Sequence, residues 1–358
     1  METRSVHTPT NFEVSKIDRR SSDHAPAKLV VIGGGSGSFS ILSGLRSNLS
    51  VDISAICSMM DSGGHSGVLR DAYGVLPPGD VRRCLIALSQ ETDLLRDLFS
   101  YRLDEAPYHG ANIGNLMILA LTRMLGSEEQ AIEGMSRLLN IRGEVIPVTL
   151  SSTHLNAVLS TGEIVRTESD IDLRSAQCTT GALPSITSVF LDPAVQANEK
   201  ALTAIEDADY LIIAPGDIYT SIVPNLLVSG ITDAISRSSA PMLYVVNLMT
   251  KHGETDSWTA TKHVEEIAAY AGRVPDAVIA HRGRIPPELS HSYRVEHAAQ
   301  VVVDRGSLSD LGVRFVFETD VMSRTSVIRH DPRKTADAIA CACGELAGKE
   351  VNLSAEVS

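Results

Sequence analysis

Short β-branched apolar runs alternate along this chain with stretches in which apolar residues recur at helical spacing. The first run, 28–32, is Lys-Leu-Val-Val-Ile; helical spacing follows over 39–49, and a second run covers 51–58. Later apolar runs cover 208–214, 242–248, 277–280 and 313–317. Buried strands that alternate with amphipathic helices are typical of a parallel sheet covered on both faces. The pattern predicts an α/β fold with a Rossmann-like, mostly parallel, doubly wound sheet.

A different pattern occupies residues 150–200. Two short runs, 157–160 and 163–166, are joined through Thr161-Gly162, which is a β-hairpin signal. With the run 187–191 it predicts a smaller α/β region inserted into the main sheet. We expect one domain over 28–346, with flexible tails at 1–27 and 347–358, where apolar periodicity is missing.

Two glycine-rich turns follow the first two predicted strands. The candidate ligand-binding residues in them are Gly33, Gly34, Gly35, Ser36 and Gly37 in the first turn, and Gly63, Gly64 and Ser66 in the second. Glycine allows close approach of the backbone, and phosphate binds well to free N–H groups at a helix start. The strict dinucleotide fingerprint is not met, since Ser38 takes the place of the third glycine. The interpretation of the chain as an NAD-dependent oxidoreductase therefore rests on the first turn alone.

Two aspartates near these turns are candidate metal ligands. Asp61 ends the second predicted strand, and Asp80 follows Pro77-Pro78-Gly79 at the position expected for a helix N-cap. Both carboxylates can converge on one Mg²⁺, which prefers oxygen ligands. The alternative is that Asp80 only caps its helix. Asp61 is also placed to hold a ribose hydroxyl.

The segments 31–37, 61–71 and 76–82 resemble the YvcK family of gluconeogenesis factors. That family is related to CofD, the 2-phospho-L-lactate transferase of coenzyme F420 synthesis. Matching segments extend over about 28–340. The resemblance implies a protein that binds a nucleotide sugar such as UDP-N-acetylglucosamine. It also implies a role in balancing central carbon metabolism against cell-wall synthesis and cell shape, through a regulated enzyme partner.

The relation to CofD implies an alternative, a transferase that moves a phospholactyl-type group from a nucleoside diphosphate to a deazaflavin. Asp61 and Asp80 would then be catalytic and would hold Mg²⁺ against the diphosphate. CofD proteins have two adjacent aspartates where this chain has Asp61-Ser62, which favours the YvcK reading. Whether the chain is an enzyme is left open.

Further candidate ligand-binding residues come from the segments that match the family: Arg70, Asn115, Thr220, Ser221 and Asn247. An amide such as that of Asn115 suits a sugar or a base, or else it bonds local backbone. The family has Ser where Asp217 stands, and a carboxylate there repels phosphate unless a cation intervenes. Lys251 is a candidate for an anionic ligand, with simple solvation as the alternative.

Composition and charge disfavour several classes of protein. A net charge of −13 and 4% aromatic residues disfavour nucleic acid as a partner. No apolar run approaches the roughly 20 residues of a transmembrane helix. Five cysteines, in a sequence without a secretory leader, favour reduced thiols in the cytoplasm. We expect a homodimer.

Overall fold

The computed structural model describes residues 26–48, 50–177, 183–325 and 327–348. Its strands are β1 (Ala27–Gly33), β2 (Val51–Cys57), β3 (Glu144–Pro147), β4 (His154–Leu159), β5 (Ile164–Arg166), β6 (Ile186–Asp192), β7 (Tyr210–Ile213), β8 (Met242–Val245), β9 (Ala277–His281) and β10 (Phe315–Thr319). The helices of the first half are α1 (Gly35–Leu45), α2 (Gly64–Tyr73), α3 (Gly79–Leu88), α4 (Asp93–Ser100), α5 (Ile113–Leu125), α6 (Glu128–Leu138), α7 (Glu168–Asp172) and α8 (Arg174–Gln177). Those of the second half are α9 (Glu199–Glu206), α10 (Val223–Leu226), α11 (Ile231–Arg237), α12 (Ala260–Ala271), α13 (Pro287–Val295), α14 (Arg305–Asp310) and α15 (Pro332–Leu346). The predicted tails lie almost wholly outside the described residues.

Among the described residues, seven strands form one parallel sheet in the order β10-β9-β8-β7-β1-β2-β3. The chain winds outward from β1 to β3 and then returns to the other side of β1 at β7. This reversal of winding is the topological switch point of a doubly wound sheet, where a crevice opens at the carboxyl ends of the strands. The predicted fold class is confirmed, and β1 and β7 flank the switch point.

The parallel strands are buried because helices cover both faces of the sheet. In β1, Val30, Val31 and Ile32 are each at most 1% exposed, and the central strands β7 and β8 are likewise buried. This explains why their sequence is continuously apolar rather than alternating. The turns at the strand ends therefore have a rigid support.

A second sheet of three strands, in the order β5-β4-β6, is antiparallel. It is formed by the segment between β3 and β7, as the hairpin signal predicts. The strand pair β4 and β5 places Val158 opposite Ile164. The helices α7 and α8 lie in the connection from β5 to β6.

The first helix differs from the prediction. Helical spacing placed it at 39–49, but α1 begins at Gly35, within the first glycine turn, and ends at Leu45. Its buried side is formed by Ile41, Leu42 and Leu45, while Phe39 is 36% exposed. The apolar pattern could not locate the start, because the first turn of α1 consists of glycine and serine.

In the part of the chain that the structure describes, no helix is long and apolar enough to cross a bilayer.

Candidate functional site

Three helices begin at the carboxyl edge of the large sheet with an N-cap residue whose own side chain makes no capping hydrogen bond. These are α1, α2 and α3, which start at Gly35, Gly64 and Gly79. Five other helices, in contrast, are capped by the side chains of Asn112, Ser127, Asn198, Thr259 and Asp331. The first turn of a helix has N–H groups without an intrahelical partner and carries partial positive charge. The three uncapped starts are therefore suited to anionic groups.

The turns at these helix starts lie against one another. A Cβ atom on Gly34 would stand 2.5 Å from Asp80 Oδ2 and 3.3 Å from the carbonyl oxygen of Ser221. A Cβ atom on Gly79 would stand 2.5 Å from Asp61 Oδ2. Glycine at both positions permits this approach. The turns that follow β1, β2 and β7 thus meet around one crevice at the switch point.

The glycines of the first turn have different roles. Gly35 has a φ of +64°, which favours glycine, and its missing side chain leaves Ser221 Oγ and Arg83 Nη1 as the nearest groups, at 3.6 and 3.9 Å. A methyl group on Gly37 would instead overlap the carbonyl oxygen of Pro215. Gly35 therefore faces the crevice, and Gly37 lets α1 pack on the turn after β7.

The remaining residues of the two turns border the same crevice. Ser36 is exposed in the first turn of α1, whereas Gly33 is buried beside Ser38 and Ala214. Gly64 has a φ of +48° with nothing within 4 Å of its Cβ position, so open space adjoins it. The Gly63 N–H donates to Asp61 Oδ1 over 2.9 Å, which fixes the second turn.

Asp80 does not cap its helix, contrary to that reading of the sequence. The N-cap position of α3 is taken by Pro78, and Asp80 lies in the first turn. Its Oδ1 accepts a hydrogen bond from the N–H of Gly35 over 3.0 Å and lies 3.4 Å from Arg83 Nη1. Burial raises the pKa of Asp80 to about 6, against the opposing effect of Arg83. Asp80 thus connects the first glycine turn to α3.

A third carboxylate joins Asp61 and Asp80 from the inserted region. Glu168 Oε2 accepts the N–H of Ser62 over 3.2 Å. Burial, and then the Asp61 carboxylate, raise the pKa of Glu168 to about 8. No motif in the sequence points to Glu168, which lies 106 positions from Ser62.

The residues present fit a magnesium ion only in part. Asp61 and Asp80 each use Oδ1 for a backbone N–H, and among the described residues no hydrogen bond reaches either Oδ2. No group of three or more His, Cys, Asp or Glu side chains there is arranged to hold a metal. Mg²⁺ commonly uses one or two carboxylates and completes its shell with waters and ligand phosphates. The two aspartates fit that kind of site, in which the ligand helps to bind the metal.

Asn115 lies beside the crevice but its side chain is already bonded. It is fully buried; its Oδ1 accepts from Arg82 Nε over 2.9 Å, and its Nδ2 lies 3.5 Å from Ser66 Oγ. Asn112 caps α5 by accepting the N–H of Asn115. Asn115 therefore supports Arg82 and Ser66, which stand closer to the turns.

Arg70 contacts the small antiparallel sheet. The residue is 5% exposed, and its guanidinium contacts the ring of His154 on β4. Burial lowers the pKa of Arg70, while Asp71 and then Asp61 oppose that effect. Arg70 joins α2 to the small sheet.

The turn after β7 is held by side chains rather than left free. Asn247 accepts the N–H of Gly216 over 3.0 Å and donates to its carbonyl oxygen over 2.7 Å. Thr220 is 6% exposed within the π-helical turn Ile218–Ile222, so the neighbouring Ser221 is the hydroxyl that reaches the crevice. Asn247 thus positions the turn on which Ser221 lies.

Lys251 is bonded to carboxylates and does not stand free for an anion. Its Nζ lies 2.8 Å from Asp217 Oδ2 and 2.8 Å from Glu254 Oε1, and it also pairs with Asp172. Burial lowers the pKa of Lys251, but Glu254, Asp217 and Asp172 together outweigh it and raise the pKa. Lys251 therefore supplies the cation that offsets the charge of Asp217 at the turn after β7.

Comparison with known proteins agrees with this architecture. Residues 29–322 match the family model described as "2-phospho-L-lactate transferase CofD". A solved structure of a UPF0052-family protein from Bacillus halodurans superposes with a TM-score of 0.82 at 36% identity, covering 88% of this chain and 99% of that one.

Curated relatives extend over most of the chain. The gluconeogenesis factor of Halalkalibacterium halodurans is 38% identical over 314 residues, covering 87% of this chain and 95% of the relative. That of Bacillus subtilis is 36% identical over 315 residues, covering 87% and 96%. A Nostoc sp. relative of the same group is 40% identical over 316 residues, covering 87% and 68%. This chain belongs to the CofD family and, within it, to the gluconeogenesis factors of the YvcK/UPF0052 group.

Proposed function

We propose that this protein binds a nucleotide sugar of the UDP-N-acetylglucosamine type in the crevice between β1 and β7. The observation that carries the proposal is the meeting of three uncapped helix starts at the switch point of the sheet. Such a place supplies N–H donors and positive partial charge for a diphosphate without requiring many cationic side chains. This agrees with a chain whose net charge is −13.

Arg83 is the side chain best placed to assist the diphosphate. Its guanidinium is 44% exposed and lies 3.9 Å from the Cβ position of Gly35. It is only loosely paired with Asp80, at 3.4 Å, so it can turn towards a ligand. Arginine suits phosphate because its N–H groups bind two oxygens at once.

As a binding protein, the chain would act through a regulated enzyme and so balance central carbon metabolism against cell-wall synthesis. Its relatives carry the name gluconeogenesis factor, which supports a role in carbon metabolism. The partner, the homodimer and the cytoplasmic location stay predictions.

The second candidate is a CofD-like transferase, and the pair Asp61 and Asp80 favours it. Bound Mg²⁺ would neutralise the charge of a diphosphate leaving group. Asp61 and Asp80 would hold the ion through their Oδ2 atoms, and the Gly35 N–H keeps Asp80 in place.

Binding is tested by calorimetry with UDP-N-acetylglucosamine, UDP-glucose, GDP, GTP and NAD, each with and without Mg²⁺. We expect saturable binding of UDP-sugars, and a loss of about tenfold or more in affinity for Arg83→Gln, roughly 1.4 kcal/mol. Arg237→Gln, on the exposed end of α11, is the matched control and should not change affinity. Binding of NAD or GDP alone would contradict the UDP-sugar proposal.

Turnover is tested by incubating the protein and Mg²⁺ with a deazaflavin acceptor and a lactyl or enolpyruvyl diphospho-guanosine donor. We expect no product. Mg²⁺-dependent product that disappears in Asp80→Asn would make the protein a transferase instead.

A further inference from the structure

A segment of the inserted region lies against the turn that follows β2. We call residues 167–175 the strap; they include α7 and the start of α8. At one end of the strap, the Ser62 N–H donates to Glu168 Oε2 over 3.2 Å, and the Ser169 N–H donates to Ser62 Oγ over 2.8 Å. These reciprocal bonds fix the start of α7 on the second glycine turn.

The other end of the strap is fixed on the turns after β7 and β8. Asp172 pairs with Lys251, whose Nζ also lies 2.8 Å from both Asp217 and Glu254. Arg174, which is 8% exposed, donates to the carbonyl oxygen of Gly253 over 3.3 Å. One lysine thus joins the strap, the turn after β7 and the turn after β8.

These two attachments place the strap across the switch point. In the order β2-β1-β7-β8, one end of the strap is attached at the turn after β2 and the other end at the turns after β7 and β8, so β1 lies between the two attachments. Between these attachments, α7 contacts the π-helical turn Ile218–Ile222, which follows β7.

Polar contacts hold both ends of the strap, and Ile171 anchors its middle in the hydrophobic core. Ile171, at 1% exposure, is its buried apolar side chain, whereas Leu173 is 47% exposed. The strap also carries the carboxylates of Glu168 and Asp172 to a crevice that contains Asp61 and Asp217. Glu168 holds its proton at neutral pH, since its pKa is about 8, and Asp172 pairs with Lys251, so neither side chain repels an anionic ligand while the strap is in place.

We infer that the strap is a movable cover of the crevice, and that the pairing of Asp172 with Lys251 holds it closed. The identity of the ligand rests on the function proposed above, but the cover itself does not. Opening separates Asp172 from Lys251, which stays neutralised by Asp217 and Glu254. The ligand then reaches the N–H groups of the first glycine turn.

An engineered disulfide tests the cover directly. A Cβ on Gly63 would lie 4.0 Å from the Cβ of Ser169, within the usual range for disulfides. Gly63 has a φ of −89°, and the nearest other group, Asp61 Oδ1, is 3.5 Å from that Cβ, so a side chain fits. The double variant Gly63→Cys/Ser169→Cys can therefore lock the strap, and Ser169→Cys alone is its control under the same oxidant.

The first measurement is hydrogen exchange of the amides at 33–37 without ligand. Oxidation of the double variant should slow this exchange about tenfold or more, and reduction should restore it. Equal exchange rates in the locked and reduced forms, with the disulfide verified by mass, would overturn the inference.

The second experiment weakens the attachment of the strap to Lys251. Asp172→Asn removes the carboxylate that pairs with Lys251. Asp170→Asn on the same helix is the control, because the hydrogen bonds of Asp170 within the described residues go to Thr167. We expect Asp172→Asn to speed exchange at 33–37 and to raise the association rate of UDP-N-acetylglucosamine several-fold. Unchanged exchange in Asp172→Asn would contradict the latch. Faster exchange at 33–37 without any UDP-sugar binding would support the movable cover and contradict the proposed ligand.

Discussion

Glu168→Gln should remove a pH dependence from the stability of this protein. The pKa of Glu168 is about 8 in the folded protein against an ordinary 4.5, because burial and the neighbouring Asp61 disfavour its charged form. Glutamine is nearly the same size and keeps an oxygen that accepts the N–H of Ser62. The substitution therefore removes the titrating carboxyl group and keeps the hydrogen bond from the Ser62 N–H.

The magnitude follows from proton linkage. Between pH 6 and the folded pKa the native protein holds a proton that the unfolded chain has already released, so stability falls as the pH rises. Each pH unit is worth about 1.36 kcal/mol, which gives a loss of about 2.7 kcal/mol in the free energy of unfolding between pH 6 and pH 9. The contribution of Glu168 is fully present below pH 4.5 and is lost as the pH passes through about 8.

Urea unfolding of the wild type and of Glu168→Gln, at intervals from pH 6 to pH 9, measures this effect. The difference in unfolding free energy between the two proteins isolates Glu168, since the other groups titrate in both. We expect the variant to gain about 2.7 kcal/mol relative to the wild type over this interval. Glu163→Gln, an exposed glutamate next to β5, is the control and should follow the wild type. Parallel curves for wild type and Glu168→Gln would refute the burial argument.

Three further substitutions test other parts of the structure, each by chemical denaturation. Gly37→Ala should lower the free energy of unfolding by about 3 kcal/mol or prevent folding, because its methyl group meets the backbone after β7. Gly63→Ala is the control and should change stability little. Equal losses in the two variants would contradict the packing role of Gly37. Lys251→Met should lower the free energy of unfolding by about 3 kcal/mol at pH 8, because it leaves the buried Glu254 carboxylate unpaired. The loss should be smaller at pH 5, because the pKa of Glu254 is about 7 and its carboxyl group is then protonated. A loss independent of pH would count against this explanation. Asp80→Asn should raise the free energy of unfolding by about 2 kcal/mol at pH 8 and leave it unchanged at pH 4. The reason is that the pKa of Asp80 is about 6, so ionising this carboxyl group is unfavourable in the folded state. A loss of stability at pH 8 would instead support a capping-like role.

The sequence by itself determined the parallel sheet and the place of the crevice. The short apolar runs at 28–32 and 208–214, rich in β-branched residues and followed by glycine turns, are typical of buried strands that end at those turns. Right-handed crossovers then bring β1 and β7 together in a doubly wound sheet. These conclusions depend on local patterns, which a single sequence displays directly.

Only the tertiary structure decided which polar side chains remain free for a ligand. Asn115 and Asn247 were both candidates for ligand binding, but Arg82 and the backbone of Gly216 already bind their amides. Asp80 looked like a helix cap, and its partner proved to be the N–H of Gly35, 45 residues away. The strap could not be predicted at all, since Ser62 and Ser169 are 107 positions apart. Hydrophobic periodicity specifies how each segment packs on its neighbours, whereas such contacts depend on how separate segments meet once the sheet has formed.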